Sequence, residues 1–358
     1  MRVSTLAACA FLGALAIPAA LSAQGDLNAD RLKAIQIRSI GPGLVTGRVS
    51  DIEIDPRNPS TWYVATAFGG VWKTVNRGVT FTPIFDDGGT HNTCCIVMDP
   101  KNSDVLWLGT GENHSQRSAH FGDGLYKTID AGKTWKRMGL ENSEHIGKIV
   151  VDPRNSDVVY VASQGPLFSS GGQRGLYKTT NGGLTWDAVL TVSENTGITD
   201  VILDPKNPDV LYASAYPRRR HVGQAIGGSP EGGLYKSSNA GRTWTKLTNG
   251  LPNRDVGRAA LAIDARKNPT EIYAHIEAQN SEAGCVLSGF YRSTNGGASW
   301  THHGKNATPA AGGRGAGAPG GGRGGAPPDS SEGAQVGRGG GRGGATCATS
   351  ENWFTAGL

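Results

Sequence analysis

The chain has 358 residues, enough for one large domain or two ordinary ones, and 37% apolar residues can fill a core. Gly supplies 54 residues and aromatics only 7%, which excludes a helix-rich fold as the simplest reading and predicts many turns. The formal charge of +5 is modest and is carried partly by Gly-flanked Arg residues near the C-terminus, so no nucleic-acid partner is expected.

At the N-terminus one Arg precedes an apolar run over residues 6–21 and the small pair Ser22 and Ala23. This pattern predicts a secretory signal peptide over residues 1–23 and a secreted or periplasmic protein. No later stretch approaches the ~18 consecutive apolar residues of a membrane span, so no stable membrane insertion is expected. Beyond the signal the cysteines are Cys94, Cys95, Cys285 and Cys347. Adjacent cysteines rarely bond each other, because the required dihedrals strain the peptide between them. The spacings match no zinc site, and neither a metal nor a cofactor is expected.

Two signatures then recur in step. One is an Asp-Pro turn between apolar runs: IDPRNPSTWYVA from Ile54, MDPKNSDVLWLG from Met98, VDPRNSDVVYVA from Val151, LDPKNPDVLYAS from Leu203 and IDARKNPTEIYA from Ile263. The other is a polar box ending in an aromatic residue: KTVNRGVTF, KTIDAGKTW, KTTNGGLTW, KSSNAGRTW and RSTNGGASW, closing at Phe81, Trp135, Trp186, Trp244 and Trp300. The period of 51 to 58 residues is that of a repeat architecture.

Within the unit 198–252, Thr199-Asp-Val-Ile-Leu203, Val210-Leu-Tyr-Ala-Ser214, Gly233-Leu-Tyr-Lys-Ser237 and Thr243-Trp-Thr-Lys-Leu247 read as short strands separated by turn residues. The predicted fold is therefore all-β, a β-propeller of four-stranded antiparallel blades with five blades between residues 31 and 304. In each box, Asn76, Asp130, Asn181, Asn239 or Asn295 is expected to accept backbone N–H groups in the turn, a structural role. The aromatic residue is expected to bury its face between blades.

Ile35-Gln-Ile-Arg-Ser-Ile-Gly-Pro42 resembles a fourth strand of the kind that closes a propeller ring, yet the last box is followed by its own, Ser299-Trp-Thr-His-His303. Five blades are thus expected to be an incomplete ring. Residues 305–345, dominated by Gly, Ala, Pro, Ser and Arg, are expected to be a disordered spacer before a tail over 346–358.

The boxes match the Asp-box or BNR repeat of sialidases, xyloglucanases and sortilin-type receptors. With Phe68-Gly-Gly-Val-Trp-Lys-Thr74, Gly109-Thr-Gly-Glu112 and Gly122-Asp-Gly-Leu-Tyr-Lys127, the chain most resembles bacterial exported proteins with a sortilin N-terminal-type propeller, often labelled BNR-repeat glycosyl hydrolases. The resemblance implies a peptide, protein or carbohydrate ligand. Xyloglucanases of this architecture place a catalytic Asp in a T-D-V/I-G-G-A-Y motif, where this chain has Thr66-Ala67-Phe68-Gly69-Gly70-Val71-Trp72. Ala67 stands where that carboxylate would be, and glycoside hydrolysis normally needs two. The sialidase Arg-Ile-Pro motif is likewise broken at Ile37-Arg-Ser-Ile-Gly-Pro42. These departures favour a non-catalytic binding scaffold, with a xyloglucanase- or sialidase-like glycoside hydrolase as the alternative.

The Asp-Pro and box turns share one face of such a blade, and the other face carries loops that vary in length. Long polar loops on a rigid scaffold are the usual place for recognition. The candidate ligand residues are accordingly Glu112, Asn113, His114, Arg117 and His120 in blade two and Arg218, Arg219, Arg220 and His221 in blade four, the arginines suited to clamping an anion.

Overall fold

The computed structural model describes residues 47–114, 119–221, 224–278 and 287–303. The signal segment, the 35–42 strand, Arg117, Cys285, Cys347 and the Gly-rich stretch lie outside the described residues. Blade one consists of β1 (Val49–Ile54), β2 (Trp62–Thr66), β3 (Gly70–Thr74) and β4 (Thr82–Pro83). Blade two has β5 (Thr93–Asp99), β6 (Asn102–Thr110), β7 (Leu125–Thr128) and β8 (Lys136–Arg137). Blade three has β9 (Ile146–Val151), β10 (Val159–Ser163), β11 (Gly175–Thr179) and β12 (Asp187–Leu190). In blade four β13 (Gly197–Asp204) and β14 (Asn207–Tyr216) are followed by a small hairpin, β15 (Arg219–His221) and β16 (Gln224–Ile226), and then by β17 (Gly233–Ser237) and β18 (Thr245–Lys246). Blade five is β19 (Val256–Asp264), β20 (Glu271–Ala278), β21 (Gly289–Ser293) and β22 (Thr301–His303). Each blade is a four-stranded antiparallel meander, the expected architecture; the hairpin in blade four was not legible as strand.

The core lies between blades. The first strands pack in chain order, β1 on β5, β5 on β9, β9 on β13 and β13 on β19, which puts them nearest the axis. Four apolar clusters each straddle one pair of successive blades. The second strand is sandwiched on both faces, so all five residues of β10 are buried and its sequence runs continuously apolar instead of alternating. Asp51 and Asp200 sit at β-bulges in their first strands, where each carboxylate accepts a backbone N–H from the next blade, Ile96 at 3.0 Å and Leu261 at 2.8 Å.

The box turns explain their own composition. The Asp or Asn side chain accepts the backbone N–H four residues on, as from Thr80 to Asn76 at 3.0 Å and Thr134 to Asp130 at 2.9 Å, and the pattern repeats at Asn181, Asn239 and Asn295. The residue after it is left-handed, Ala131 at φ 60° and Ala240 at φ 57°, and the Gly that follows is left-handed as well. That residue's N–H bonds the Asp-Pro turn of the same blade, Ala131 to Asp104 and Ala240 to Asp209, so both repeated turns share one face. The indoles of Trp135 and Trp186 reach back to carbonyls of the preceding blade, Ile84 and Met138, both at 2.7 Å. Phe81, with no earlier blade among the described residues, is 43% exposed.

A second tie runs forward. The Lys that opens each of the first four boxes lies over the aromatic ring opposite it on the second strand, as Lys127 over Trp107 and Lys178 over Tyr160. Its ammonium donates to the left-handed residue's carbonyl in the next box: Lys73 to Ala131, Lys127 to Gly182, Lys178 to Ala240 and Lys236 to Gly296, at 2.7–3.3 Å. In blade five the position is Arg292, which pairs with Glu271 of its own blade at 2.7 Å.

One expectation fails. Cys94 and Cys95 are disulfide-bonded to each other. The β-bulge between Thr93 and Cys95 breaks the alternation that would send adjacent side chains to opposite faces. Gly109 on β6 makes the room, because a Cβ there would stand 2.7 Å from both sulfurs.

Candidate functional site

The face opposite the repeated turns carries the loops from second to third strands and the blade-to-blade connections. In blade two this loop begins at Gly111, whose φ of 85° turns the chain sharply after β6. The Thr110 hydroxyl holds the two ends of the loop together, donating to the Gly124 carbonyl at 2.7 Å and accepting the Asp123 N–H at 2.9 Å. Glu112 follows, 1% exposed, its N–H on the His120 carbonyl at 2.8 Å and its carboxylate paired with Arg48 at the start of blade one. His145, also buried, sets Nδ1 2.9 Å from the Glu112 carbonyl.

From there a polar network crosses blades. Asn113 donates to the Gly147 carbonyl at 2.9 Å, and its Oδ1 accepts from Gln164 and from Thr199. Arg218 is 2% exposed; it donates to Gln164 Oε1 at 2.8 Å and to the His114 carbonyl. Arg174, 4% exposed, binds the backbone carbonyls of Gln164, Pro166 and Ser169. Burial, then Arg258, Arg48 and Arg218, pushes the His114 imidazole down to about 4. His145 is driven well below its ordinary range by burial and by Arg218 and Arg174.

Of the expected residues, Glu112, Asn113, His114 and Arg218 are brought together. The three arginines do not form an open row: Arg218 is spent inside, while Arg219 and Arg220 are half-buried in the hairpin. Arg219 donates to Asn195 Oδ1, and the Arg220 N–H bonds the Leu167 carbonyl at 2.9 Å. His221 is exposed at the hairpin tip. His120 is exposed and its ring lies 4.6 Å from that of Phe68 in the blade-one turn. Arg117 lies outside the described residues.

The sequence reading missed Arg48, His145, Gln164 and Arg174. Gln164 had a usable signal, a polar side chain directly after a second strand like Glu112; the others depend on which blades touch.

Ala67 is buried in the blade-one turn with its N–H on the Arg48 carbonyl at 2.8 Å. The position expected to match the xyloglucanase-type carboxylate thus carries a buried methyl group. On the same face Phe121 and Phe168 are 68% and 61% exposed, one from the loop of blade two and one from that of blade three.

His114 leads to a pH prediction. A folded imidazole held neutral until about pH 4 takes up its proton in the unfolded chain near the ordinary value of 6.5, so acidification through that window favours unfolding. The melting temperature of the wild-type chain is expected to fall between pH 6.5 and 4. Thermal melts across that range are expected to fall less steeply for His114→Gln, which cannot take up the proton.

Residues 123–285 match the family model described as sortilin, neurotensin receptor 3. The chain is also similar to curated xyloglucanases. The oligoxyloglucan-reducing end-specific xyloglucanase of Emericella nidulans is 24% identical over 80% of this chain and 38% of its own length. The xyloglucanase of Hypocrea jecorina is 25% identical over 62% of this chain and 28% of its own. The chain thus spans about a third of the length of these relatives. The crystal structure of the Niastella koreensis GH74 enzyme superposes with a TM-score of 0.51 at 23% identity, over 71% of this chain and 38% of that one, a likeness of fold.

Proposed function

We propose that the chain is a xyloglucanase-like, exported propeller that binds a polysaccharide of the xyloglucan kind across its loop face. The observation that carries this reading is the pair of exposed rings, Phe121 and Phe168, standing on neighbouring blades beside a hydrogen-bonded polar floor. Sugars offer flat C–H faces that stack on aromatic rings and hydroxyl edges that need fixed donors and acceptors, so rings flanked by polar groups suit them. The curated xyloglucanases lend support as relatives. Hydrolysis by these blades is not part of the proposal: Ala67 offers no carboxylate, and the Glu112 carboxylate is buried against Arg48.

The test is calorimetric titration with xyloglucan oligosaccharides, beside an assay for reducing ends. Binding without release of reducing ends is expected, and Phe121→Ala with Phe168→Ala is expected to weaken it by about tenfold or more. Absence of saccharide binding would overturn the proposal, and cleavage would overturn its non-catalytic part. The match to the sortilin model favours a peptide ligand instead, and a neurotensin-like peptide in the same titration separates the two.

A further inference from the structure

The third strands of blades two to five repeat a tyrosine on the face toward the preceding blade: Tyr126, Tyr177, Tyr235 and Tyr291. In three of these blades the residue opposite it on the fourth strand covers the ring. Arg137 lies over Tyr126 at 5.7 Å, Lys246 over Tyr235 at 5.9 Å, and His302 stacks on Tyr291 at 4.5 Å. The same three hydroxyls are also satisfied, donating to the Asp123 carboxylate at 2.7 Å, the Glu231 carbonyl at 3.3 Å and the Leu287 carbonyl at 2.6 Å. Blade three departs on both counts. Opposite Tyr177 stands Ala188, exposed and too short to reach over a ring, and no cation or second ring covers Tyr177 among the described residues. Its hydroxyl has no hydrogen-bond partner among them either.

A groove of about 480 Å³ borders that ring on the outer flank of the seam, between β8 of blade two and the box turn of blade three. Tyr177 and Trp186 form its aromatic wall, and Lys136, Arg137, Gln173 and Thr185 its polar one. Hydrogen-bonding capacity is left over there. Gln173 spends its side-chain oxygen on the Asn142 N–H at 2.9 Å, and its NH2 has no acceptor among the described residues. Thr185 accepts from the Asn181 amide at 2.8 Å and keeps its own hydroxyl proton to give. Arg137 is already engaged by Asp123, and no carboxylate among the described residues lines the groove. A bare ring beside unspent donors and acceptors suits a sugar, whose C–H face stacks while its hydroxyls bond at the edge. A free cation would suit the ring but would meet Lys136 and Arg137 at the same place.

We propose that this groove is a second saccharide site, separate from the loop face, which takes a neutral sugar unit on the Tyr177 ring. The Tyr177 hydroxyl, the Gln173 amide and the Thr185 hydroxyl bond its edge. The proposal rests on the glycan-binding reading for its ligand class and adds a site to it. Ala188 is what leaves the seat open, since the longer side chains at its place in blades two, four and five fill theirs.

The experiment titrates the full chain with a neutral xyloglucan oligosaccharide and reads the number of sites, with tetramethylammonium as the competing cation. Two sites are expected in the wild type. Ala188→Lys sets over Tyr177 the group that Lys246 supplies in blade four, and is expected to leave one site; Ala188→Ser is expected to keep both. Tyr177→Phe is expected to weaken the groove site by about threefold or more and to leave the other unchanged. The groove site is expected to persist in the Phe121→Ala, Phe168→Ala double variant. A thermal melt checks each fold, and Tyr177→Phe carries the test if Ala188→Lys melts early. Two sites in a folded Ala188→Lys, no weakening in Tyr177→Phe, or tighter binding of tetramethylammonium than of the saccharide would overturn the inference. A single site that vanishes with the two Phe rings would overturn it and leave the loop-face reading intact. A single site lost in Ala188→Lys and kept without those rings would support it and overturn the loop-face reading, whereas no saccharide binding at all would overturn both.

Discussion

Trp107→Ala is expected to destabilise the protein by about 3–5 kcal/mol, read as a lower denaturant midpoint. The indole is fully buried on β6 and sits at the seam between blades two and three. It meets Trp186 edge-on with centroids 6.0 Å apart, lies under the Lys127 ammonium, and fills the space beneath Gly183, where a Cβ would come within 2.6 Å of the ring. Truncation leaves a ring-sized cavity and removes the surface on which the Lys127 tie rests. Trp107→Tyr is expected to recover much of the loss. Tyr160 and Tyr212 occupy the same place in blades three and four and donate to the Ala240 and Gly296 carbonyls at 3.1 and 2.9 Å, whereas the Trp107 indole N–H has no acceptor among the described residues. A midpoint within about 1 kcal/mol of wild type for Trp107→Ala would show that the seam is not held by this ring.

The second large effect is expected at Gly111. Its φ of 85° is unfavourable for any residue with a Cβ, and that atom would fall 1.8 Å from the Glu144 carbonyl oxygen. Gly111→Ala must therefore move either the start of the blade-two loop or the connection into blade three. Both routes displace Glu112 from Arg48 and His145. The expected result is a loss of about 3 kcal/mol or more together with saccharide binding weakened by at least about tenfold, since the floor and the fold share this point. Ala at Gly171, which has nothing within 4 Å of its Cβ position, serves as the matched control at φ 74°. It carries the backbone penalty alone, so a similar loss in both variants would trace the effect to φ and not to the Glu144 contact.

The blades were legible because they are local and repeated. Strand, Asp-Pro turn, strand, strand and box recur within each unit, and turn chemistry with apolar runs is enough to place them. Glu112 was legible as a candidate because it opens a long polar loop after a strand; its burial was not. Arg218 was read as part of an exposed row because adjacent charges look solvated in sequence; its burial depends on Gln164, 54 residues away in the preceding blade. His145 and Arg48 were missed for the same reason, since their partners come from other blades. The Cys94–Cys95 bond turned on a bulge and on Gly109 in the neighbouring strand, neither visible in the spacing of the two cysteines.

Each Lys tie speaks only to the unit immediately after it, through a main-chain oxygen whose position does not depend on which side chain surrounds it. In this contact each unit meets its successor through the main chain, beside the side-chain packing that fills the seams. This one tie therefore survives changes of side chain in the box it reaches. The hairpin and loops on the far rim take no part in that handshake.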